Sequence, residues 1–246
     1  MVEVTDLHMH FGAVRALNGV SFVAPDGAIT GLLGENGAGK TTTLNIVSGL
    51  HQAMRGSVVL DGGTAGDPFE RRRHVGALLD QKGLYPRLTA RENVAYFGTL
   101  RGFTGTELTR RVNRALAAVG IESLAERQTQ GFSQGERMKV ALARAIVHEP
   151  WNLILDEPTN GLDVPSARTF KAALSRMREL GVCIVFSSHL IHDVSALCDT
   201  VVIISRGRTV AQGEPEALCR KTGCSTLEET FMAVTGHERE ATCLAG

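Results

Sequence analysis

Apolar and polar positions along the chain fall into two periods. An unbroken apolar run, Ile29 to Leu33, has the length of a buried strand. A glycine-rich loop follows, then an apolar stripe at Leu44, Val47 and Leu50 with the spacing of one helix face. Similar short runs recur at VGALLD (75–80), at Leu153–Leu155 and at VCIVFSSH (182–189), each predicting a buried strand. A helix is expected over 190–199. Leu108, Val112, Leu116 and Val119 form a second helical stripe, and 138–147 is apolar on most faces, as a buried helix is. RGRTVAQG (206–213) reads as a hairpin. Leu227, Phe231 and Val234 then line one side of a short helix, which Ser225 and Glu228 open with capping-box spacing. The tail 236–246, ending in HEREATCLAG, shows no such order and reads as frayed.

Composition narrows the classes. The 246 residues suit one large domain or a domain with an insertion, and 43% hydrophobic residues supply a sizeable core. Twenty-six basic residues balance twenty-six acidic ones, which argues against a broad nucleic-acid surface. The N-terminus, MVEVTDLHMHFG, lacks a basic leader and an apolar stretch, so no export signal is expected. The longest apolar runs, such as VVII at 201–204, are too short for a bilayer. The five cysteines make no CxxC pair and read as reduced thiols of a cytosolic protein, with Cys183 and Cys198 as small core residues.

The loop after the first apolar run carries the first chemistry. Gly34-Glu35-Asn36-Gly37-Ala38-Gly39-Lys40-Thr41 fits GxxxxGK[ST] without a mismatch, between a strand and a helix. A loop that wraps the β- and γ-phosphates must turn its N–H groups inward, and glycines permit the close approach this needs. The helix N-terminus adds free N–H groups and the positive end of its dipole. Lys40 adds a point charge, the Thr41 hydroxyl can hold Mg²⁺, and Thr42 completes the phosphate-facing turn. The plainer reading is a glycine-rich turn with no ligand. A phosphate loop alone fits a small-molecule kinase, a GTPase, a motor or a transport ATPase. The NKxD-type stretch that GTPases use to read their base is absent.

WNLILDEPTNGLD (151–163) carries the second. Asp156 closes a short strand, where a carboxylate beside a phosphate loop can hold Mg²⁺. Neighbouring residues on a strand point opposite ways. Glu157 therefore leaves that role to Asp156 and, as the chain turns at Pro158, can orient an attacking water as general base. Solvated loop acids are the alternative. His189 ends the strand at 182–189, where a histidine can donate to a γ-phosphate or simply precede a helix.

The ordered set of phosphate loop, FSQGE (132–136), LILDEP, GLD and SSH resembles the ATP-binding cassette of ABC transporters over about residues 1–235. The resemblance implies an α/β P-loop NTPase fold: a mixed central sheet, an N-terminal antiparallel β subdomain, and an α-helical subdomain inserted at about 84–150. It implies an ATPase that uses ATP and Mg²⁺. Phe11 stands where the family stacks an aromatic on adenine, although it is also a plausible core aromatic. Gln81 matches the glutamine that reaches Mg²⁺ and the attacking water.

FSQGE resembles the family signature loop, usually LSGGQ, which faces the ATP of a second cassette packed head to tail. Ser133 would donate its hydroxyl and Gly135 its backbone N–H to that γ-phosphate. Gln134 and Glu136 depart from the family pattern. A positive φ at Gln134 would narrow the loop, while Glu136 is expected to point outward in the first helical turn. Asp163 matches the loop that crosses the dimer interface, and is equally suited to cap a helix with Pro165 at its first position.

Within the family, LTARENVAYFGTLRG, FSQGERMKVALARAIVHEP and FSSH are most similar to single-cassette exporter subunits, the sodium-extrusion (NatA-like) subfamily first and drug exporters next. That implies a peripheral subunit on the cytoplasmic face of the membrane. A second copy or a related cassette, together with separate polytopic membrane subunits, would complete the exporter, with sodium or drugs as the expected cargo; no nucleic acid is expected. Two other readings remain: a soluble cassette ATPase acting on nucleic acid or ribosomes, and a non-hydrolysing regulatory cassette.

Overall fold

The computed structural model describes residues 1–61, 63, 67–79 and 83–236. Two sheets organise them. β1 (Val2–Phe11) lies between β2 (Val14–Ala24) and β4 (Arg55–Leu60), antiparallel to both. The larger sheet contains β3 (Ile29–Leu33), β5 (Val75–Leu78), β6 (Asn152–Asp156), β7 (Cys183–Ser188), β8 (Thr200–Ser205) and β9 (Arg208–Gly213). Their order is β5-β6-β7-β3-β8-β9, parallel except for β9, which returns antiparallel to β8; the hairpin spans 200–213, so the 206–213 stretch supplies only its turn and second strand. This is the mixed sheet and N-terminal antiparallel sheet that the resemblance implies.

Parallel strands are covered on both faces, which is why they read as unbroken apolar runs. One face, with Leu32, Ile154, Val185 and Val202, packs on the first sheet and on α1 (Lys40–Val47). The other, with Leu33, Leu155, Phe186 and Ile203, packs on a helical layer. That layer includes α3 (Ala90–Leu100), α4 (Gly105–Ala118), α5 (Gln134–Ile146) and α6 (Val164–Glu179). α2 (Pro68–His74), α7 (Ile191–Leu197), α8 (Pro215–Thr222) and α9 (Leu227–Thr235) complete the elements used below.

α3, α4 and α5 fall inside the 84–150 stretch expected to be helical, and Val112, Leu116 and Val119 are buried as their stripe requires. α7 is shorter than the expected 190–199 helix. Two caps differ in detail. Thr226, not Ser225, caps α9: its hydroxyl accepts from Glu229 N at 3.1 Å, while the Glu229 carboxylate accepts from Ser225 N. STLEE contains two overlapping capping-box patterns, and the later one places Leu227 and Phe231 in the core. Pro165 is the second residue of α6, after Val164, rather than the first. Gly236 closes α9, and the tail from 237 lies outside the described residues. Cys183 and Cys198 are buried, and burial pushes the Cys183 thiol up to about 12 and raises that of Cys198 as well. Among the described residues, no helix is long and apolar enough to cross a membrane.

Candidate functional site

Parallel strands place their C-terminal ends on one edge, and that edge collects the predicted chemistry. β3 runs into the loop 34–39 and then into α1, whose cap is Gly39. Sterics dictate two of the glycines. A Cβ at Gly34 would sit 2.5 Å from the Ile204 carbonyl oxygen. At Gly39, φ is 108°, and a Cβ would meet Leu17 at 2.7 Å and the Ala16 carbonyl at 2.8 Å. The loop thus lies tightly between β2 and β8. Glu35, Asn36 and Gly37 are exposed at its tip, and Ala38 is buried beneath it. Lys40 is 5% exposed, and its ammonium group donates to the carbonyls of Gly34 at 2.7 Å and Glu35 at 3.1 Å. Thr41 is exposed at the first turn, with Thr42 half-buried beside it.

The next strand but one supplies the acids. Thr41 Oγ1 donates to Asp156 Oδ2 at 2.8 Å, which joins the start of α1 to the end of β6. Glu157 follows with φ 46°, a left-handed conformation uncommon for a residue with a side chain. That turn carries its carboxylate away from the Asp156 direction. Oε1 lies 3.6 Å from Lys40 Nζ, and Oε2 lies 2.9 Å from His189 Nδ1. Lys40, Thr41, Asp156, Glu157 and His189, spread over 150 residues of sequence, therefore form one connected group. His189 lies between β7 and α7, just beyond the strand end rather than on it.

The 132–136 turn is built differently. Ser133 caps α5 in a complete capping box: its Oγ accepts from Glu136 N at 3.2 Å, and Glu136 Oε2 accepts from Ser133 N at 2.8 Å. Glu136 therefore turns back onto the helix start instead of pointing outward. Gln134 is the first helical residue and has no positive φ, so the feared narrowing does not arise. Its amide donates to the Asn160 carbonyl at 3.1 Å. Gly135 is buried against Ser166. Asp163 caps α6, accepting from Ser166 N at 2.7 Å, and the Ser166 backbone and hydroxyl hold its carboxyl below the ordinary range.

Beside these turns lies an open groove of about 1250 Å³, with Tyr85, Leu88, Gln130, Met138, Glu157 and Asn160 among its walls. Phe11 ends β1 half-exposed, edge-on to His51 with ring centroids 6.0 Å apart, so it is not the core aromatic that was its alternative. Gln81 lies outside the described residues.

Sequence reading missed one further acid. Asp193 of α7 accepts from Thr159 Oγ1 at 2.6 Å and from Lys171 Nζ at 2.7 Å. Burial favours its neutral form, but the hydrogen bonds from Lys171 and Thr159 outweigh burial and hold the carboxyl below its ordinary value. This pins the turn after Glu157 to α6 and α7. A lone Asp in a helix gave no signal of that.

A family model described as ABC transporter matches residues 17–160. The ABC transporter ATP-binding protein NatA of Bacillus subtilis (strain 168) is 37% identical over 239 residues, covering 95% of this chain and 97% of that protein. The linearmycin resistance ATP-binding protein LnrL of the same organism is 32% identical over 228 residues, covering 92% and 73%. A solved ATP-binding subunit of an ABC transporter superposes with a TM-score of 0.84 at 30% identity, covering 96% of this chain and 99% of that one. An ATP-binding cassette solved as a dimer in a post-hydrolysis state, bound to ADP and Pi, gives 0.76 at 25% identity, covering 87% and 98%. With its phosphate loop and paired acids on one sheet edge, the chain belongs to the ABC transporter family as an ATP-binding, ATP-hydrolysing cassette.

Proposed function

We propose that this chain is the ATPase subunit of an exporter, in which two cassettes close head to tail on two ATP molecules and drive separate membrane subunits. The observation that carries the reading is the convergence of Lys40, Thr41, Asp156, Glu157 and His189, with the Ser133 turn shaped by its own capping box rather than by these residues. ABC cassettes dimerise and work with membrane subunits, and a relative named for linearmycin resistance is consistent with outward transport of a drug. Sodium and drugs are the cargo classes to test first. The cytoplasmic face of the membrane is the assigned place of work.

The residues present fit Mg²⁺. Thr41 Oγ1 and Asp156 Oδ2 are hard oxygen donors 2.8 Å apart, and Gln81 is assigned as the third. Mg²⁺ held by these residues would supply charge neutralisation for the phosphates. The loop 34–42 wraps those phosphates, with Lys40 moving its ammonium group from the loop carbonyls to phosphate oxygens. Phe11 stacks on the adenine. Glu157, as general base, takes a proton from the attacking water, and His189, whose ring faces the Glu157 carboxylate in this structure, donates to the γ-phosphate once ATP is bound. Ser133 and Gly135, with Gln134 and Glu136 shaping the turn, face the partner's ATP, and Asp163 lies at the shared interface. The helical subdomain and the Gln81 region pass the closing motion to the membrane subunit.

The test is a co-purification. Tagged Glu157→Gln chain is recovered from native membranes in mild detergent with ATP and Mg²⁺. A stoichiometric polytopic membrane protein is expected. Ribosomes, nucleic acid or a soluble protein in its place would overturn the exporter reading.

A further inference from the structure

Resting on that reading of Asp156 and Glu157, we propose that Ser187 is a positioning residue for hydrolysis: one hydroxyl sets the direction of both acids. Cys183, Val185 and Ser187 share one face of β7, the face that packs on α1 and the first sheet. The first two are apolar core residues. Ser187 is fully buried too, so its hydroxyl interrupts an apolar row at the position opposite Asp156 in the β6–β7 register. A buried hydroxyl is unfavourable unless satisfied.

It is satisfied twice. Ser187 Oγ donates to Asp156 Oδ1 and accepts from Glu157 N at 2.9 Å. The directions follow from chemistry: a carboxylate only accepts and a backbone N–H only donates, so the single hydroxyl proton must go to Asp156. Asp156 is then held through both oxygens, by Ser187 on Oδ1 and by Thr41 on Oδ2. The bond from Glu157 N fixes the peptide at the residue that adopts φ 46°, the turn that swings the Glu157 carboxylate to Lys40 and His189. Ser188, on the opposite face, serves another purpose: its Oγ accepts from Leu190 N at 2.9 Å and shapes the turn into α7. Among the described residues, the polar contacts of Ser187 are with Asp156 and Glu157 and reach the phosphate loop only through Asp156, so turnover should depend on it more than ATP binding does.

The experiment compares Ser187→Ala, Ser187→Cys, Ser187→Thr and Glu157→Gln in the full chain, with ATPase kinetics, nucleotide binding and Mg²⁺ titration. Ser187→Ala is expected to lower kcat about ten- to a hundredfold, as loss of alignment does. KM for ATP should stay within about twofold, and the half-saturating Mg²⁺ concentration should rise several-fold because Asp156 loses a partner. Ser187→Cys keeps the volume but donates weakly, so it should follow alanine and keeps the test decisive if the alanine chain does not fold. Ser187→Thr keeps the hydroxyl and should recover most of the rate. Wild-type kcat in Ser187→Ala or Ser187→Cys beside an inactive Glu157→Gln would overturn the role of Ser187. Wild-type turnover in Glu157→Gln would overturn the reading of the acids beneath it.

Discussion

Lowering the pH from 7 to 5 should destabilise this protein through His148. The residue follows α5, with Nε2 3.2 Å from the Val75 carbonyl oxygen at the start of β5. A ring nitrogen facing a carbonyl must donate, so the neutral ring carries its proton on Nε2. Nδ1 is buried with no hydrogen-bond partner among the described residues, and a second proton there would have no acceptor. Burial and then the Arg101 guanidinium lower the pKa from 6.5 to about 4, with Arg111 and His74 adding to them and the Val75 carbonyl opposing. Between those values the unfolded chain binds a proton that the folded chain refuses. Stability is therefore full above pH 6.5 and is lost as pH falls toward 4. At about 1.36 kcal/mol per pH unit the whole interval amounts to about 3 kcal/mol, of which about 2 kcal/mol falls between pH 7 and 5. Urea unfolding of wild type and His148→Gln at both pH values isolates the effect, because the other titrating groups are common to both. Wild type should lose about 2 kcal/mol more than the variant. Equal losses would refute the argument, as would a His148 ring that titrates near 6.5 by NMR.

Other outcomes follow from the same structure. Phe11→Ala should raise KM for ATP about tenfold in steady-state assays, the equivalent of about 1.4 kcal/mol of stacking, whereas Phe11→Tyr should leave it near wild type. Asn93 is fully buried, and its amide bonds to the carbonyls of Tyr85, Leu88 and Thr89 while its oxygen accepts from Tyr85 N. Asn93→Ala should destabilise the fold by about 3 kcal/mol in urea titration, because several buried backbone groups lose their partner together. Gly39→Ala forces a Cβ to within 2.8 Å of a backbone carbonyl at φ 108°, so a fluorescent ATP analogue should no longer bind it with wild-type affinity.

The phosphate loop was readable in the sequence because its determinants are local: an apolar strand, glycines where sterics demand them, then a helix. β6 and β7 were readable for the same reason, being apolar on both faces. What was not readable depends on strands meeting through the sheet order. Nothing in the sequence around Ser187 says that it lies opposite Asp156, 31 residues away, since that pairing exists only once β6 and β7 are neighbours. The bond from Gln134 to Asn160 likewise joins two turns that α5 and α6 bring together. The strands of the first sheet were not read from the pattern: β1 changes phase at Asp6, φ 48°, where a register shift breaks the apolar-polar alternation. At Ser225 and Thr226 two caps were equally compatible locally, and packing of Leu227 and Phe231 decided between them.

The central claim is that this chain hydrolyses ATP between two cassettes with Glu157 as its base. Light scattering with size-exclusion chromatography on Glu157→Gln, with ATP and Mg²⁺ against no nucleotide, tests it most directly. A monomer is expected without nucleotide and, with ATP, a dimer that retains two unhydrolysed ATP molecules. A Glu157→Gln chain that stays monomeric and turns over ATP at the wild-type rate would contradict it.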